Sequence, residues 1–415
     1  MPRRHVVVGL AFLAVVVGYT DRVNISVVAV AMKEELGWSQ TEKGFVLSSF
    51  FVGYLLFMLA SGWLATRFGG KRVLGLSVLA WSALTLVTPL AAALSIPALV
   101  AARIGMGLGE AAMFPASYEL FGRWVPATER SRAVARLLSG IPLGTVAGLV
   151  ATGWIVGRYG WPMAFYGFGA LGLAWVATWF RAVENDPADD RRLAPEERAR
   201  LPQVAAAAGD AGVPWRRLLV RMPVLAIVFA HFATTWSLYV LLSWLPSYFR
   251  DAQGLSLANA GIVSAAPWLT MAVVTNVAAW LSDRVIERGM NVTSARKLVQ
   301  CIGLAVSAAF LLATRYAHSP GVALALICGA TGALGCSWCG YAPGILDVSP
   351  RYGALLGAAS NTIATIPGVV GVAATGWLVD VTGTYTAAFV MTASVSAIGA
   401  LVFGLFFDAR PLDVG

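Results

Sequence analysis

Residues 6–32, VVVGLAFLAVVVGYTDRVNISVVAVAM, decide how the rest of the chain is read. The run is apolar and long enough to cross roughly 30 Å of hydrocarbon at about 1.5 Å per helical residue. It nevertheless carries two adjacent charges, Asp21 and Arg22. An ionised side chain at mid-membrane costs roughly 2.5–3.5 kcal/mol on insertion scales, so such a pair marks a function rather than decoration. Ala29-Val30-Ala31 resembles a signal-peptidase site, but the run is too long for a signal-peptide core and contains Asp21, Arg22 and Asn24. It is read as a retained helix.

The whole chain repeats this pattern. With 58% hydrophobic and 12% charged residues in 415, and a mean hydropathy of +0.73, it is too apolar for a soluble globule. Apolar runs fall at about 6–31, 44–65, 73–93, 96–121, 133–157, 161–181, 222–248, 259–282, 298–315, 320–345, 353–379 and 385–407. A barrel is excluded, since its strands would be about ten residues long and alternate in polarity. The expectation is an all-α membrane protein of twelve transmembrane helices.

The net charge of +9 does not imply nucleic acid. In a twelve-span arrangement Arg3, Arg4, Arg67, Lys71, Arg72, Arg123, Arg130, Arg132, Arg136, Arg284, Arg288, Arg296 and Lys297 share one side, as do the arginines of 181–221 and Arg351. Only Lys33, Lys43, Arg158, Arg250 and Arg315 take the other. This positive-inside asymmetry puts both termini in the cytoplasm and makes the bilayer the partner of the basic loops. Cys301, Cys328, Cys336 and Cys339 lie in the ninth and tenth runs. Cys336-x-x-Cys339 has no second cysteine pair and no nearby histidine, so small packing residues are expected and no metal.

Trp63-Leu64 and Arg67 recur as Trp280-Leu281 and Arg284 at one constant offset, and Thr152-Gly153-Trp154 recurs as Thr375-Gly376-Trp377. Duplicated six-span halves are a transporter signature. The expected organisation is a six-helix bundle at 1–181, a cytoplasmic linker at 182–219 and a second bundle at 220–415. The linker is polar and of mixed charge from Glu184 to Arg200, then Ala-rich at 205–211. It reads as a solvated tether, with Pro195-Glu196-Glu197 opening a short surface helix.

The fourth run adds Arg103 and Glu110, two turns apart and therefore on one helical face. Asp21 and Arg22 point about 100° apart. One reading is a structural ion-pair network fixing helix contacts. Against it, pairing buried charges seldom gains stability over apolar packing, which favours a proton relay with an anion site. Arg22 supplies a permanently charged fork suited to a carboxylate or phosphate. Glu119, beside Arg123 near the end of the same run, reads as a solvated pair. Gly69-Gly70-Lys71 is no phosphate-binding loop. No nucleophile–base pair, metal cluster or nucleotide motif emerges, so neither an enzyme nor a cofactor is expected.

Gly62-Trp63-Leu64-Ala65-Thr66-Arg67-Phe68-Gly69-Gly70-Lys71-Arg72 resembles the signature loop of the major facilitator superfamily, Gly-x-Leu-Ala-Asp-Arg-x-Gly-x-Lys-Arg. Thr66 stands where the family has Asp, while the second-half counterpart keeps Asp283 before Arg284. Tyr19-Thr20-Asp21-Arg22-Val23-Asn24 is similar to the first-helix motif of the anion:cation symporter branch. Arg103-x6-Glu110, Phe114-Pro115-Ala116 and Trp124-Val125-Pro126-x2-Glu129-Arg130-Ser131-Arg132 extend the likeness. So do His231-Phe232, Trp236-x2-Tyr239, Leu245-Pro246-x-Tyr248, Arg296-Lys297, Leu346 to Tyr352 and Ser360-Asn361-Thr362. That branch includes sugar-acid symporters, sialin, vesicular glutamate transporters and plastid phosphate transporters.

The resemblance implies a gradient-coupled organic-anion carrier that rocks two six-helix halves. By position it makes Arg22 the substrate arginine and Asp21 and Glu110 the protonatable carboxylates, with Arg103 as partner to Glu110. Tyr19 and Asn361 match residues that contact sugar acids. Thr234 occupies the place of a second arginine in glutamate carriers, which counts against a dicarboxylate. His231 either titrates or packs through a hydrogen bond; Trp236 and Tyr239 either wall a cavity or pack. Gly62, Arg67, Gly69, Lys71, Arg72, Asp283 and Arg284 form the conformational loops. The expected activity is proton-coupled symport of a sugar acid or other monocarboxylate across a plasma membrane, the bacterial inner membrane, by a monomer. Inorganic phosphate, linked to protons or sodium, and an anion facilitator or exporter stay open.

Overall fold

The computed structural model describes residues 2–199, 201, 220–349 and 352–412. Arg200, the Ala-rich stretch and the rest of the linker to 219 lie outside the described residues, as do Pro350 and Arg351. Twelve helices among the described residues are long and apolar enough to cross a membrane. They are α1 Arg3–Leu36, α2 Gln40–Phe68, α3 Gly70–Leu94, α4 Ile96–Trp124, α5 Arg130–Tyr159, α6 Trp161–Ala182, α7 Met222–Asp251, α8 Leu257–Glu287, α9 Val292–Ala313, α10 Pro320–Val348, α11 Gly353–Thr382 and α12 Thr386–Phe406. Several reach a turn or more beyond their apolar runs, because polar end residues stay helical outside the hydrocarbon.

α4 is interrupted at Ala111 and Ala112. Pro115 has no N–H to give the carbonyl four residues back, which is that of Ala111. Ser61 Oγ from α2 donates to this freed oxygen at 3.2 Å, the kind of rescue that lets membrane helices carry proline.

The chain separates into two compact units. One holds the described residues up to Ala31 and those from Ser49 into the linker; the other holds Met32–Ser48 and the described residues from Val220 onward. In the first, α3 packs on α4 and α6, and α1 crosses α5 over Gly140, Gly144 and Gly148, which lie against Val15, Val16, Tyr19 and Val23. Such small-residue stripes let membrane helices approach closely. In the second, α10 packs on α8 and α9, and α7 on α11 and α12. The four cysteines are free thiols.

Met32–Ser48 joins the second unit for a chemical reason. The amides of Gln40 and Thr41 at the start of α2 donate to Asp380 at 2.9 and 2.6 Å, satisfying two otherwise unpaired helix-end donors. Lys43 is fully buried, 3.0 Å from Ser247 Oγ and 4.0 Å from Asp251, with its ammonium over the Trp244 ring. The sequence places Lys43 merely on the sparsely charged side; its burial was not legible there.

The described part of the linker is no solvated tether. Arg3 donates to Asp190 Oδ2 at 3.0 Å, and its amide to Glu197 Oε2 at 2.8 Å. Arg4 bonds Glu197 and Glu129, and Arg192 bonds Asp190. Lys71 pairs with Glu184 at 2.7 Å, while Trp124 Nε1 reaches the Glu184 carbonyl. The expected short helix is present at Pro195–Arg198, but Glu197 on it is buried. Mixed charge thus holds this arm to the ends of α1, α3 and α4.

Burial alone would raise the Asp190 and Glu197 carboxyls, but hydrogen bonds from Arg192 and Arg3, and from Arg4 and Arg3, hold both below their ordinary values. Groups with depressed native pKa values stabilise above the unfolded pKa and lose that contribution as pH falls through the native one. Attachment of the arm is therefore expected to persist at neutral pH and to fail as pH drops below the ordinary 3.8 of Asp and 4.5 of Glu. The double variant Asp190→Asn/Glu197→Gln is expected to show the release at neutral pH, as trypsin cleavage at Arg191, Arg192 and Arg198 at least about tenfold faster than in the parent. Equal cleavage rates would refute this.

Candidate functional site

The four charges predicted to be functional are all in the first unit and all buried: Asp21 and Arg22 on α1, Arg103 and Glu110 on α4. Arg22 NH2 lies 2.6 Å from Glu110 Oε1. Its guanidinium also sits over three rings, 4.7 Å from the centroid of Tyr19 and 4.9 Å from those of Phe50 and Tyr54. Cation–π contacts of this kind contribute about 0.5–2 kcal/mol depending on desolvation.

The resemblance pairs Glu110 with Arg103; the structure pairs it with Arg22. Two turns of helix separate Arg103 from Glu110 by about 10 Å along the axis, whereas Arg22 arrives beside Glu110 from the neighbouring helix. Arg103 instead lies over the Phe50 ring at 5.3 Å, with NH1 3.6 Å from Met106 Sδ.

Asp21 points elsewhere, as its 100° offset from Arg22 requires. Among the described residues, both of its carboxylate oxygens lack a hydrogen-bond partner. Thr85 on α3 is beside it, yet the Thr85 hydroxyl donates to the Trp81 carbonyl at 2.9 Å. Asn24, one turn along α1, is also buried, with its side-chain amide unpartnered among the described residues.

Placement of the site depends on one helix crossing. A Cβ on Gly53 of α2 would stand 1.9 Å from the Ile104 carbonyl oxygen, and one on Gly107 of α4 would stand 2.0 Å from the Phe50 carbonyl oxygen. Backbones therefore touch where α2 meets α4. Phe50 and Tyr54 flank Gly53, and Arg103 and Glu110 flank Gly107. Sequence reasoning missed Phe50 and Tyr54. The available signal was Phe50-x2-Gly53-Tyr54, two aromatics one turn apart bracketing a glycine.

The first signature loop is bound within its unit. Gly69 has φ +84°, a value that favours glycine, and the Gly70 amide donates to Glu119 Oε2 at 2.6 Å. Glu119 also makes the ion pair with Arg123 that the sequence suggests, but half-buried and closing the start of α3 as well. Gly62 is half-buried, and Arg67 and Arg72 are exposed. In the second unit Asp283 is exposed, and Arg284 lies over the Trp280 ring. Arg296 there pairs with Asp347 at 3.0 Å.

The other candidates belong to the second unit. His231 Nδ1 is 2.9 Å from Ser360 Oγ, and its ring stacks on Tyr341 at 4.4 Å; edge and face are both engaged in helix packing. Trp236 is buried against Gly371 and Phe232. Tyr239 is half-buried and Asn361 is exposed on α11. Thr234 bonds Ser337 at 3.1 Å.

Twelve apolar helices, with four charged side chains buried in one unit, define a polytopic membrane protein with a charged interior. Residues 10–372 match the model of the Major Facilitator Superfamily, and the chain belongs to that family. It is therefore a transporter and not an enzyme. Among curated relatives, it is 37% identical over 406 residues to "Sodium-dependent phosphate transport protein 1, chloroplastic" of Arabidopsis thaliana, covering 98% of this chain and 79% of the relative. It is equally 37% identical to "Ascorbate transporter, chloroplastic" of the same plant, covering 98% and 75%. Solved structures share the fold. A bacterial homolog of the lysosomal transporter Spinster matches with TM-score 0.83 at 18% identity over 98% of this chain and 97% of its own. A D-xylose–proton symporter matches with TM-score 0.76 at 17% identity over 98% and 99%.

Proposed function

We propose that this protein is a proton-coupled symporter of a small organic monoanion, a sugar acid or related carboxylate, working by alternating access. The observation that carries the reading is the 2.6 Å bond between Arg22 and Glu110. While Glu110 is ionised it occupies the guanidinium that would receive the anion. Protonating Glu110 removes that competitor, so the proton and the anion enter together. One proton entering with one monoanion adds no net charge to this buried site.

Phosphate is the second reading, favoured by the plastid phosphate relative at the same identity as the ascorbate relative. In both readings the basic-loop face is cytoplasmic, and the membrane is the plasma membrane of a bacterium. Purified protein in liposomes is expected to accumulate a sugar acid or ascorbate several-fold when an inward proton gradient is imposed, and to stop on adding a protonophore. Uptake indifferent to the proton gradient across a panel of carboxylates refutes proton symport. Uptake of phosphate alone, driven by sodium, selects the second reading.

A further inference from the structure

We propose that a basic cavity at the start of α1 and α5 binds a phosphate-bearing anion, either the phosphodiester headgroup of an acidic lipid or free phosphate. The cavity has a volume of about 260 Å³ and is lined by Arg4, His5, Glu129, Arg132 and Arg136, with Val8 on its apolar wall. All belong to the first unit. None is part of the Arg22–Glu110 site, and the inference does not depend on the transported substrate.

Charge is unbalanced in this cavity. Glu129 is its one acid, and it is consumed by Arg4, whose Nε donates to it at 2.9 Å. Arg4 is itself shared with Glu197 at 3.0 Å. Arg132 and Arg136 lie one turn apart on α5, both exposed, and neither makes an ion pair among the described residues. The wall thus presents two uncompensated guanidinium forks, a geometry suited to bidentate capture of phosphate oxygens. The local field is positive: the hydrogen bond from Arg4, then the charges of Arg4, His5 and Arg132, hold the Glu129 carboxyl below its ordinary value.

Position adds a second argument. α1 and α5 are odd-numbered spans, so their first turns lie on the same membrane face, the face bearing the basic loops. Val8 lies one turn deeper than Arg4, so the cavity runs from a charged rim toward hydrocarbon. Basic recesses between membrane helices at headgroup depth suit anionic lipid phosphates. The volume is below the ≈ 300–1,000 Å³ typical of drug-sized ligands and matches a headgroup phosphate better than a larger solute.

Binding, not transport, tests this. The full-length protein is loaded with phosphatidylglycerol or with phosphatidylcholine, and retained lipid is counted by native mass spectrometry. Inorganic phosphate is titrated calorimetrically into protein in phosphatidylcholine nanodiscs. Three variants are compared with the parent: Arg132→Gln/Arg136→Gln, the charge-matched control Arg191→Gln/Arg288→Gln, and Ala133→Leu, at a residue that also lines the cavity, which narrows it without changing charge. Loss of phosphatidylglycerol by about tenfold or more in the first and third variants, but not in the control, supports the site with lipid as its ligand. Loss of phosphate binding in the same two variants, with lipid unaffected, supports the site with the free anion. The proposal is overturned if both ligands bind all variants like the parent, or if the control loses as much as the Arg132/Arg136 pair. Ala133→Leu keeps the test decisive where the double variant fails to fold.

Discussion

Glu110→Gln is expected to abolish proton-driven accumulation of the anion while leaving counterflow between equal internal and external anion pools near the parental rate. Glutamine keeps the shape and can still accept a hydrogen bond from Arg22, but it carries no charge and exchanges no proton. The 2.6 Å ion pair therefore disappears as a competitor for the guanidinium. Anion affinity, which in the parent should weaken as pH rises and Glu110 ionises, becomes independent of pH in the variant. The sign is the useful part: at alkaline pH the variant binds more tightly than the parent, even though it no longer concentrates substrate. Scintillation proximity binding from pH 5 to 9, beside gradient-driven and counterflow uptake, separates these outcomes. A variant that loses counterflow together with accumulation, and whose affinity falls at every pH, would show that the pair only holds α1 to α4. Arg22→Lys sharpens the contrast. Lysine keeps one charge but lacks the planar fork and stacks less well among Tyr19, Phe50 and Tyr54, so its loss should appear as weak anion binding at all pH values.

Which charges lie buried is readable in the sequence. Charges in an apolar helix are costly enough to stand out without any structural knowledge, and Asp21, Arg22, Arg103 and Glu110 were found that way. Their pairing was not readable. Helical periodicity places Arg103 and Glu110 on one face, but it says nothing of which neighbouring helix approaches that face. The same limit hid Phe50 and Tyr54, since aromatic residues in a membrane helix are ordinary and only the crossing with α4 brings them to Arg22. The contacts of the linker are hidden in the sequence for a different reason. Mixed charge is compatible with solvation and with ion pairing, and the choice depends on whether opposite charges lie within reach. Arg3, Arg4 and Lys71 are distant in sequence from Asp190, Glu197 and Glu184 and adjacent in space. The helices themselves were the most legible part, because backbone groups in hydrocarbon have no partner except one another.

Gly53→Ala and Gly107→Ala are each expected to remove most of the folded, active protein, an effect out of proportion to one methyl group. At either position the new Cβ would fall at about half of a normal contact distance from a carbonyl oxygen, 1.9 Å from that of Ile104 or 2.0 Å from that of Phe50. Those atoms are backbone, so no side chain can swing aside and the helices themselves must separate. Overpacking typically costs about 1–3 kcal/mol, and a clash of two rigid helices belongs at or above the top of that range. Separation would also carry Phe50 and Tyr54 away from Arg103 and Glu110, which sit on the two sides of the same crossing. Any folded remainder should therefore show weakened anion binding as well as a lowered melting temperature. Gly167→Ala on α6 is the matched control. It is exposed, nothing lies within 4 Å of its added Cβ, and alanine in a helix interior is favoured over glycine by up to about 1 kcal/mol. Fluorescence-detected size exclusion with thermal challenge, followed by uptake, measures both effects. If Gly53→Ala melts and transports like Gly167→Ala, α2 and α4 do not cross on this glycine pair, and the aromatic setting of Arg22 must be held by other contacts.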